Sequence, residues 1–323
     1  MNYSLIKREL LKAIRGKHSQ NYVNGKLGYS FNQVYRWEAG YKKIPWLDFV
    51  QLCRVCKVDL KAAFRYIDFF DLDPERYDIL VKELVADDTL KMVGESIGCS
   101  QSQLSRWLNK KIVPTLENIL KLIYVRRSRL IDFVSQLTDI HLIPSLLPFY
   151  IQEEKERELH FKYPYVAALI RVLDLKQYKG LREHSDTFVA KQLGLPEATV
   201  KEALSHLHSL KLIKIENKKA IPQSMRLHVG NNFEYNKRVR KYWTEKALEI
   251  LNKLQPPKSF EARKSLLGYN VFSVSEEGFQ KIKKKYLEFY NDIRAILVDD
   301  KAETEMVKVL NLQILDPSDD GSA

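Results

Sequence analysis

The sequence predicts a mainly α fold: tandem helix-turn-helix domains, a winged helix, and a small C-terminal α+β strand-helix-strand unit. Three observations point there. Leu27 to Trp37 recurs seventy residues later as Ile97 to Trp107, with Gly28/Gly98, Ser30/Ser100, Gln33/Gln103, Arg36/Arg106 and Trp37/Trp107 in matching places. A third stretch, Phe188 to Val200, has the same Leu-Gly turn and the same spacing to an apolar Val. Near the C-terminus, a long amphipathic stretch is followed by Leu310, Leu312 and Ile314, which alternate as strand residues do. In the repeated pattern a helix ends at Gly, a short turn follows, and Ser can accept from the first free amides of the next helix. That is how a helix-turn-helix is written in sequence.

The first module, residues 1–67, opens with a helix through Leu5, Leu10, Leu11 and Ile14 that Gly16 ends. Ser19 caps a helix through Lys26. Ser30 caps the recognition helix, Phe31 to Trp37. Gly40 and Pro45 break the chain before an apolar helix, Leu47 to Val55. Asp71 to Pro74 is a turn signal. The second module, 68–142, repeats this order: Thr89 caps, Gly98 turns, Ser100 caps, and Pro114 precedes a helix from Leu116 to Ile123.

A connector rich in Pro and aromatics follows, 143–162. The winged helix, 163–234, takes the third helix-turn-helix, with Pro196 at the first helical position. A hairpin then runs from Leu212 to Ile215, through Asn217-Lys218-Lys219, to Ala220-Ile221-Pro222. The last region, 235–323, starts with a basic amphipathic helix, Tyr235 to Leu254. Next come a β-like stretch, Leu266 to Val274, and a helix capped by Ser275 that runs to about Val298. That helix places Phe279, Ile282, Tyr286, Phe289, Ile293 and Ile296 on one stripe. A strand from Met306 to Leu315 and a short polar tail from Ser318 complete it. Two strands and a helix form a poor stand-alone domain, so this unit needs the winged helix or a second subunit to cover it.

Charge follows the repeats. The chain of 323 residues carries +12 overall. Met1 to Leu60 holds eleven Lys/Arg against four Asp/Glu, Thr89 to Leu130 eight against two, and Tyr66 to Asp88 only two against eight. Two basic blocks thus flank an acidic spacer, each block on one repeat, which favours a polyanionic partner. No apolar run approaches membrane-spanning length, the N-terminus shows no signal-peptide core, and three cysteines cannot build a disulfide framework. A reducing cytoplasm and no membrane partner are the expectation.

A recognition helix lies in the major groove with its N-terminal side chains at base edges, while the preceding helix abuts the backbone. In the first copy the outward residues are Phe31, Asn32, Gln33, Tyr35 and Arg36. Asn and Gln can bond an adenine edge bidentately, and Arg a guanine edge. Gln20 and Asn21 begin the preceding helix, where amides can hold a phosphate, and Lys42 and Lys43 are phosphate candidates beyond the recognition helix. The bland alternative is a solvated polar face, against which the matching charge block weighs. In the second copy Gln101, Ser102, Gln103, Ser105 and Arg106 form the face, followed by Lys110 and Lys111. Leu90 replaces Gln20, Leu108 replaces Glu38, and Gly40 has no counterpart, so this copy either binds DNA more weakly or packs and dimerises. The winged helix offers Thr199, Lys201, Lys218 and Lys219, with Glu197 and Glu202 opposing phosphate; it either touches DNA or acts as a spacer.

The segment from Leu11 to Leu60 resembles the Cro/C1-type (Xre) helix-turn-helix family, through Ser19-Gln20, Leu27-Gly28, and Arg36-Trp37-Glu38-Ala39-Gly40 to Pro45. The resemblance implies that Gln20 and the polar residues of the recognition helix contact DNA and that Trp37 is a core residue. From Tyr163 onward the chain is similar to the DUF4423 group of uncharacterised bacterial regulators. Lys191-Gln-Leu-Gly194, Ser273-Val-Ser-Glu-Glu277 and Val309-Leu-Asn-Leu-Gln313-Ile carry that similarity. It implies a bacterial transcriptional regulator with an upstream helix-turn-helix and no assigned ligand.

The expected partner is double-stranded DNA, with a homodimer and an unnamed protein or small-molecule effector left open. No cofactor, metal or catalysis is expected. Cys53 and Cys56 lie on an apolar helix without a second ligand pair, and His206 and His208 fall on different helix faces. The competing function class is a protein-interaction adaptor that uses helix-turn-helix folds without specific DNA readout. Neither the operator nor the sign of regulation is legible.

Overall fold

In the computed structural model, which describes residues 1–67, 69, 72–85, 89–223, 233–256, 265–268 and 270–316, helix ends fall where capping chemistry puts them. The fold is mainly α with one small hairpin. Contacts divide it into two units, Met1–Glu158 with Arg226–Asn236, and Leu159–Met225 with Lys237–Ala323.

The first unit repeats a five-helix order. The first copy comprises α1 (Tyr3–Arg15), α2 (Gln20–Lys26), α3 (Gln33–Ala39), α4 (Trp46–Val55) and α5 (Leu60–Tyr66). The second comprises α6 (Tyr77–Val85), α7 (Leu90–Ile97), α8 (Gln101–Leu108), α9 (Leu116–Arg127) and α10 (Leu130–Leu137). Asn2, Ser19, Asp59, Thr89, Ser100 and Thr115 each accept an amide of the helix they open, satisfying donors that otherwise have no partner. Ile6, Leu10, Leu11 and Ile14 recur at helical spacing and are buried, so α1 folds onto the core rather than standing alone.

The two recognition helices are capped differently. Ser30 does not cap α3: the helix starts at Gln33, Asn32 is its N-cap without a side-chain bond, and Phe31 precedes it. The cap comes from the previous helix. The buried side chain of Asn24 accepts from Val34 N–H at 3.0 Å. In the second copy Gly94 stands at that place, and a Cβ there would meet the Cys99 carbonyl at 2.6 Å. With no side chain to reach across, Ser100 caps α8 itself, accepting from Gln103 N–H at 3.1 Å.

Behind α3, the buried carboxylate of Glu38 accepts from Arg15 at 2.5 and 3.2 Å and from Gln20 Nε2 at 2.6 Å, while Arg8 Nε donates to the Glu38 carbonyl at 3.0 Å. Its counterpart, Leu108, packs against the apolar core instead. Gly40 ends α3 in the left-handed conformation (φ 87°) with its Cα side against Arg8, so a Cβ would press on that side chain.

Both copies share one apolar core from Ile6 to Leu146, centred on Trp37, Trp46, Trp107, Phe49, Phe64 and Phe133. Trp37 is fully buried. α4 packs on α9, and α5 packs on α10 through Phe64 and Phe133, whose rings lie 5.3 Å apart. Pro45 and Thr115, the N-caps of α4 and α9, form an antiparallel bridge. Trp46 N–H donates to the Pro114 carbonyl at 2.8 Å, and Leu116 N–H to the Ile44 carbonyl at 3.0 Å. The segment 143–162, expected as a connector, is largely a helix, α11 (Leu147–Lys162).

The second unit holds α12 (Val166–Leu173), α13 (Lys176–Lys179), α14 (Asp186–Leu193), α15 (Glu197–Ser209), β1 (Ile213–Glu216) and β2 (Lys219–Pro222). Pro196 is the N-cap of α15, one place before the position expected for it. β1 and β2 pair antiparallel across Asn217 and Lys218, both at positive φ (47° and 60°), the backbone that a two-residue hairpin of matching twist requires. Tyr178 ties the hairpin down. Its hydroxyl accepts from Ala220 N–H at 3.0 Å, so its own proton goes to His184 Nδ1 at 2.8 Å, and His184 Nε2–H donates to Asp186 at 2.8 Å.

Two longer helices complete this unit, α16 (Phe233–Lys253) and α17 (Glu276–Asp299), the latter capped by Ser275 as expected. The order segment, helix, segment around α17 is present, but neither flank forms a strand among the described residues. Residues 306–315 are held through side chains instead: Tyr286 Oη donates to the Leu312 carbonyl at 3.3 Å, and Asn311 and Gln313 donate to Thr244 Oγ1 at 3.2 and 2.5 Å. On the expected α17 stripe Phe279, Ile282, Tyr286 and Ile293 are half-buried, whereas Phe289 and Ile296 are exposed. Asp71, Tyr269 and the tail from Ser318 lie outside the described residues.

Two stability measurements follow from these contacts. Asn24→Ala removes the cap of α3 and strands a buried amide, so urea unfolding should show a loss of about 1–2 kcal/mol, while Ser30→Ala should change it by less than about 0.5 kcal/mol. A loss at Ser30 with little change at Asn24 would place the cap at Ser30 instead. Arg15→Ala leaves the Glu38 carboxylate buried without its cation and should cost about 3 kcal/mol. Adding Glu38→Leu, the residue of the second copy, should recover most of that loss; no recovery would show that Arg15 acts through packing alone.

Candidate nucleic-acid interface

The two recognition helices, α3 and α8, each expose the residue type that reads a guanine edge. Arg36 and Arg106 occupy equivalent positions in the last turns, are exposed, and enter no ion pair or side-chain hydrogen bond among the described residues. The chain turns back the same way beyond each: Lys42 N–H donates to the Arg36 carbonyl at 3.1 Å and Lys111 N–H to the Arg106 carbonyl at 2.8 Å. Lys42 and Lys111 thereby emerge at matching places beside the arginines.

The first face is aromatic as well as polar. Phe31 is 85% exposed, and Tyr35 meets Tyr41 edge to face at 6.1 Å. Tyr41 is 74% exposed and escaped the sequence reading; the signal was an aromatic set directly before Lys42-Lys43. Asn21, Asn32, Lys42 and Lys43 are exposed and Gln33 half-buried, its Oε1 accepting from Lys42 Nζ at 3.5 Å. Gln20 is placed differently from expectation. It is half-buried and its amide is committed to Glu38, so it orients the buried carboxylate that braces the turn.

The second face is smaller and wholly polar. Gln101, Ser102, Gln103 and Lys111 are exposed, and Ser105 is half-buried with its Oγ accepting from Asn109. Lys110 is exposed and paired: its Nζ lies 3.4 Å from Asp78, which Arg76 also grips at 3.0 Å. Hydrogen bonds from Arg76 and then Lys110 hold the Asp78 carboxyl down at about 2, so it stays a carboxylate at neutral pH.

In the winged helix the wing cations are engaged. Lys219 Nζ donates to the Lys179 carbonyl at 2.6 Å, at the end of α13, and Lys218 lies 3.7 Å from Glu183. Lys201 is exposed and Thr199 half-buried; Glu197 accepts from Thr187 at 2.9 Å, and Glu202 from Tyr163 at 2.7 Å. Exposed polar side chains thus lie together on α3 and on α8, whereas both lysines of the hairpin have partners.

Cys53 is buried in the core, and burial pushes its thiol up, away from the thiolate that metal binding needs. No helix among the described residues is long and apolar enough to cross a membrane.

Residues 86–123, from just after α6 into α9, match the helix-turn-helix family. The match falls on the copy in which Leu90 and Leu108 replace Gln20 and Glu38, and it gives the chain a DNA-binding, regulatory role in general terms. No curated protein and no solved structure matches the chain. Residues 150–316 match DUF4423, a domain of unknown function. Since that match spans just over half of the 323 residues, the chain belongs to the DUF4423 family, with a helix-turn-helix region preceding the family domain.

Proposed function

We propose that the protein is a transcriptional regulator that binds double-stranded DNA sequence-specifically through its first unit. The observation that carries this reading is the pair Arg36 and Arg106, equivalent, exposed and unpaired among the described residues, on two recognition helices built from one repeated sequence. Each would supply a bidentate contact to guanine, flanked by Asn32 and Gln33 on one helix and Gln101 and Gln103 on the other. Lys42, Lys43 and Lys111 would neutralise phosphates and give the salt-dependent part of the affinity. Lys110, Lys218 and Lys219 would contribute less, because each would first leave a carboxylate or a helix-end carbonyl. Gln20 acts indirectly, through Glu38. The second unit serves dimerisation or signal sensing. Supporting this is the apolar surface it leaves open, including Leu248, Leu251, Val271, Met306 and Leu315.

Arg36→Ala should weaken binding to the preferred duplex by about 1–3 kcal/mol and relax preference at one base pair, measured by fluorescence anisotropy on single-base variants. Uniform weakening on every duplex would make Arg36 a phosphate contact. Lys42→Ala should instead lower the slope of log affinity against log salt by about one, with base preference kept. A flat salt dependence in the parent protein, joined to tight capture of a protein partner, would support the adaptor function and overturn this one.

A further inference from the structure

The two helix-turn-helix copies of the first unit meet through equivalent elements that run in the antiparallel sense of a two-fold pair. Equivalent elements meet each other: α4 packs on α9 and α5 on α10, with Phe64 and Phe133 each in the second turn of its helix. The bridge between Pro45 and Thr115 fixes the sense of the pairing. Copies related by translation alone would lay equivalent segments side by side in parallel. Here the segments run antiparallel, and the bonds are reciprocal: the first helical amide of α4 donates to the carbonyl two places before α9, and the first helical amide of α9 donates to the carbonyl two places before α4. A contact in which each side gives the other what it receives is the signature of a two-fold interface. The pairing is confined to α4, α5, α9 and α10, since α1 packs across onto α9 while α6 packs on α9 within its own copy.

Ordinary two-fold dimers present identical reading heads. In this chain they differ. Phe31, Asn32 and Tyr35 on one side stand against Gln101, Ser102 and Ser105 on the other, while Arg36 and Arg106 match. Resting on the DNA-binding function proposed above, we infer that the ligand is a duplex with two inverted but unequal half-sites, read by a single chain. Each half-site contains a guanine for its arginine, and the two diverge where the aromatic side of α3 replaces the small polar side of α8. The half-sites are centred about one helical turn apart, or a multiple of it, roughly 34–36 Å per turn.

The test is selection of bound duplexes from a random library by the full chain at about 0.15 M salt, followed by the mass of the complex from sedimentation. The expected motif has two dissimilar halves in inverted orientation, with one chain per duplex. Arg36→Ala should blur one half only and Arg106→Ala the other only, each with roughly a tenfold loss on the intact motif. Inserting five base pairs between the halves should reduce binding to the level of a single half, because half a turn puts the second half on the opposite face. Both arginines are exposed, and unchanged thermal melting of the variants confirms that they act through DNA. A single half-site, direct repeats, or two chains on identical halves would overturn this inference and leave the sequence-specific regulator intact. No enriched sequence at all would overturn both.

Discussion

Two backbone hydrogen bonds, Trp46 N–H to the Pro114 carbonyl and Leu116 N–H to the Ile44 carbonyl, hold the two halves of the first unit together at their centre. Their chemistry is that of helix termini. The first amides of a helix have no partner inside it and must find one elsewhere. Thr115 can serve α9 with its hydroxyl, but Pro45 has no side chain able to serve α4. By exchanging amides and carbonyls, α4 and α9 cap each other in part. Each fixes the other's starting point, and the apolar residues that follow, Phe49 and Val50 on one helix and Ile119 and Leu120 on the other, are delivered to one shared core. What begins as a local capping need therefore joins the two copies through α4 and α9.

The copies diverge around that fixed centre in ways that remain physically complete. Asn24 caps its neighbour, and where Gly94 stands Ser100 takes over the task. Glu38 is buried with Arg15 and Gln20 satisfying it, and where Leu108 stands no polar group needs satisfying. A buried carboxylate is tolerated only when its hydrogen bonds are supplied, so Gln20 and Glu38 are exchanged as a set, Leu90 with Leu108. The substitutions that make the second copy look degenerate in sequence therefore amount to an apolar solution of the same turn.

Much of this was legible in the chain. Gly28, Gly98 and Gly194 marked the turns, and Ser19, Thr89 and Ser275 the helix starts, because capping and left-handed glycine act over a few residues. What local pattern could not show was where polar side chains find distant partners. Asn24 reaching Val34, Gln20 reaching Glu38 and Lys219 reaching Lys179 all depend on which elements meet in space. The same holds for 306–315: alternation predicted a strand, but Thr244 and Tyr286 engage the segment through side chains and no strand pairs with it among the described residues. The pairing of the two copies was foreshadowed by the repeat but fixed only by the antiparallel bridge.

Native-state hydrogen exchange at Trp46 and Leu116 tests the central claim most directly. If the reciprocal bonds join both copies into one cooperative body, the two amides should exchange at equal free energies, each matching global unfolding of the first unit by denaturant. Exchange of either amide by a local opening several kcal/mol below the global value, or separate unfolding of the two copies, would contradict it.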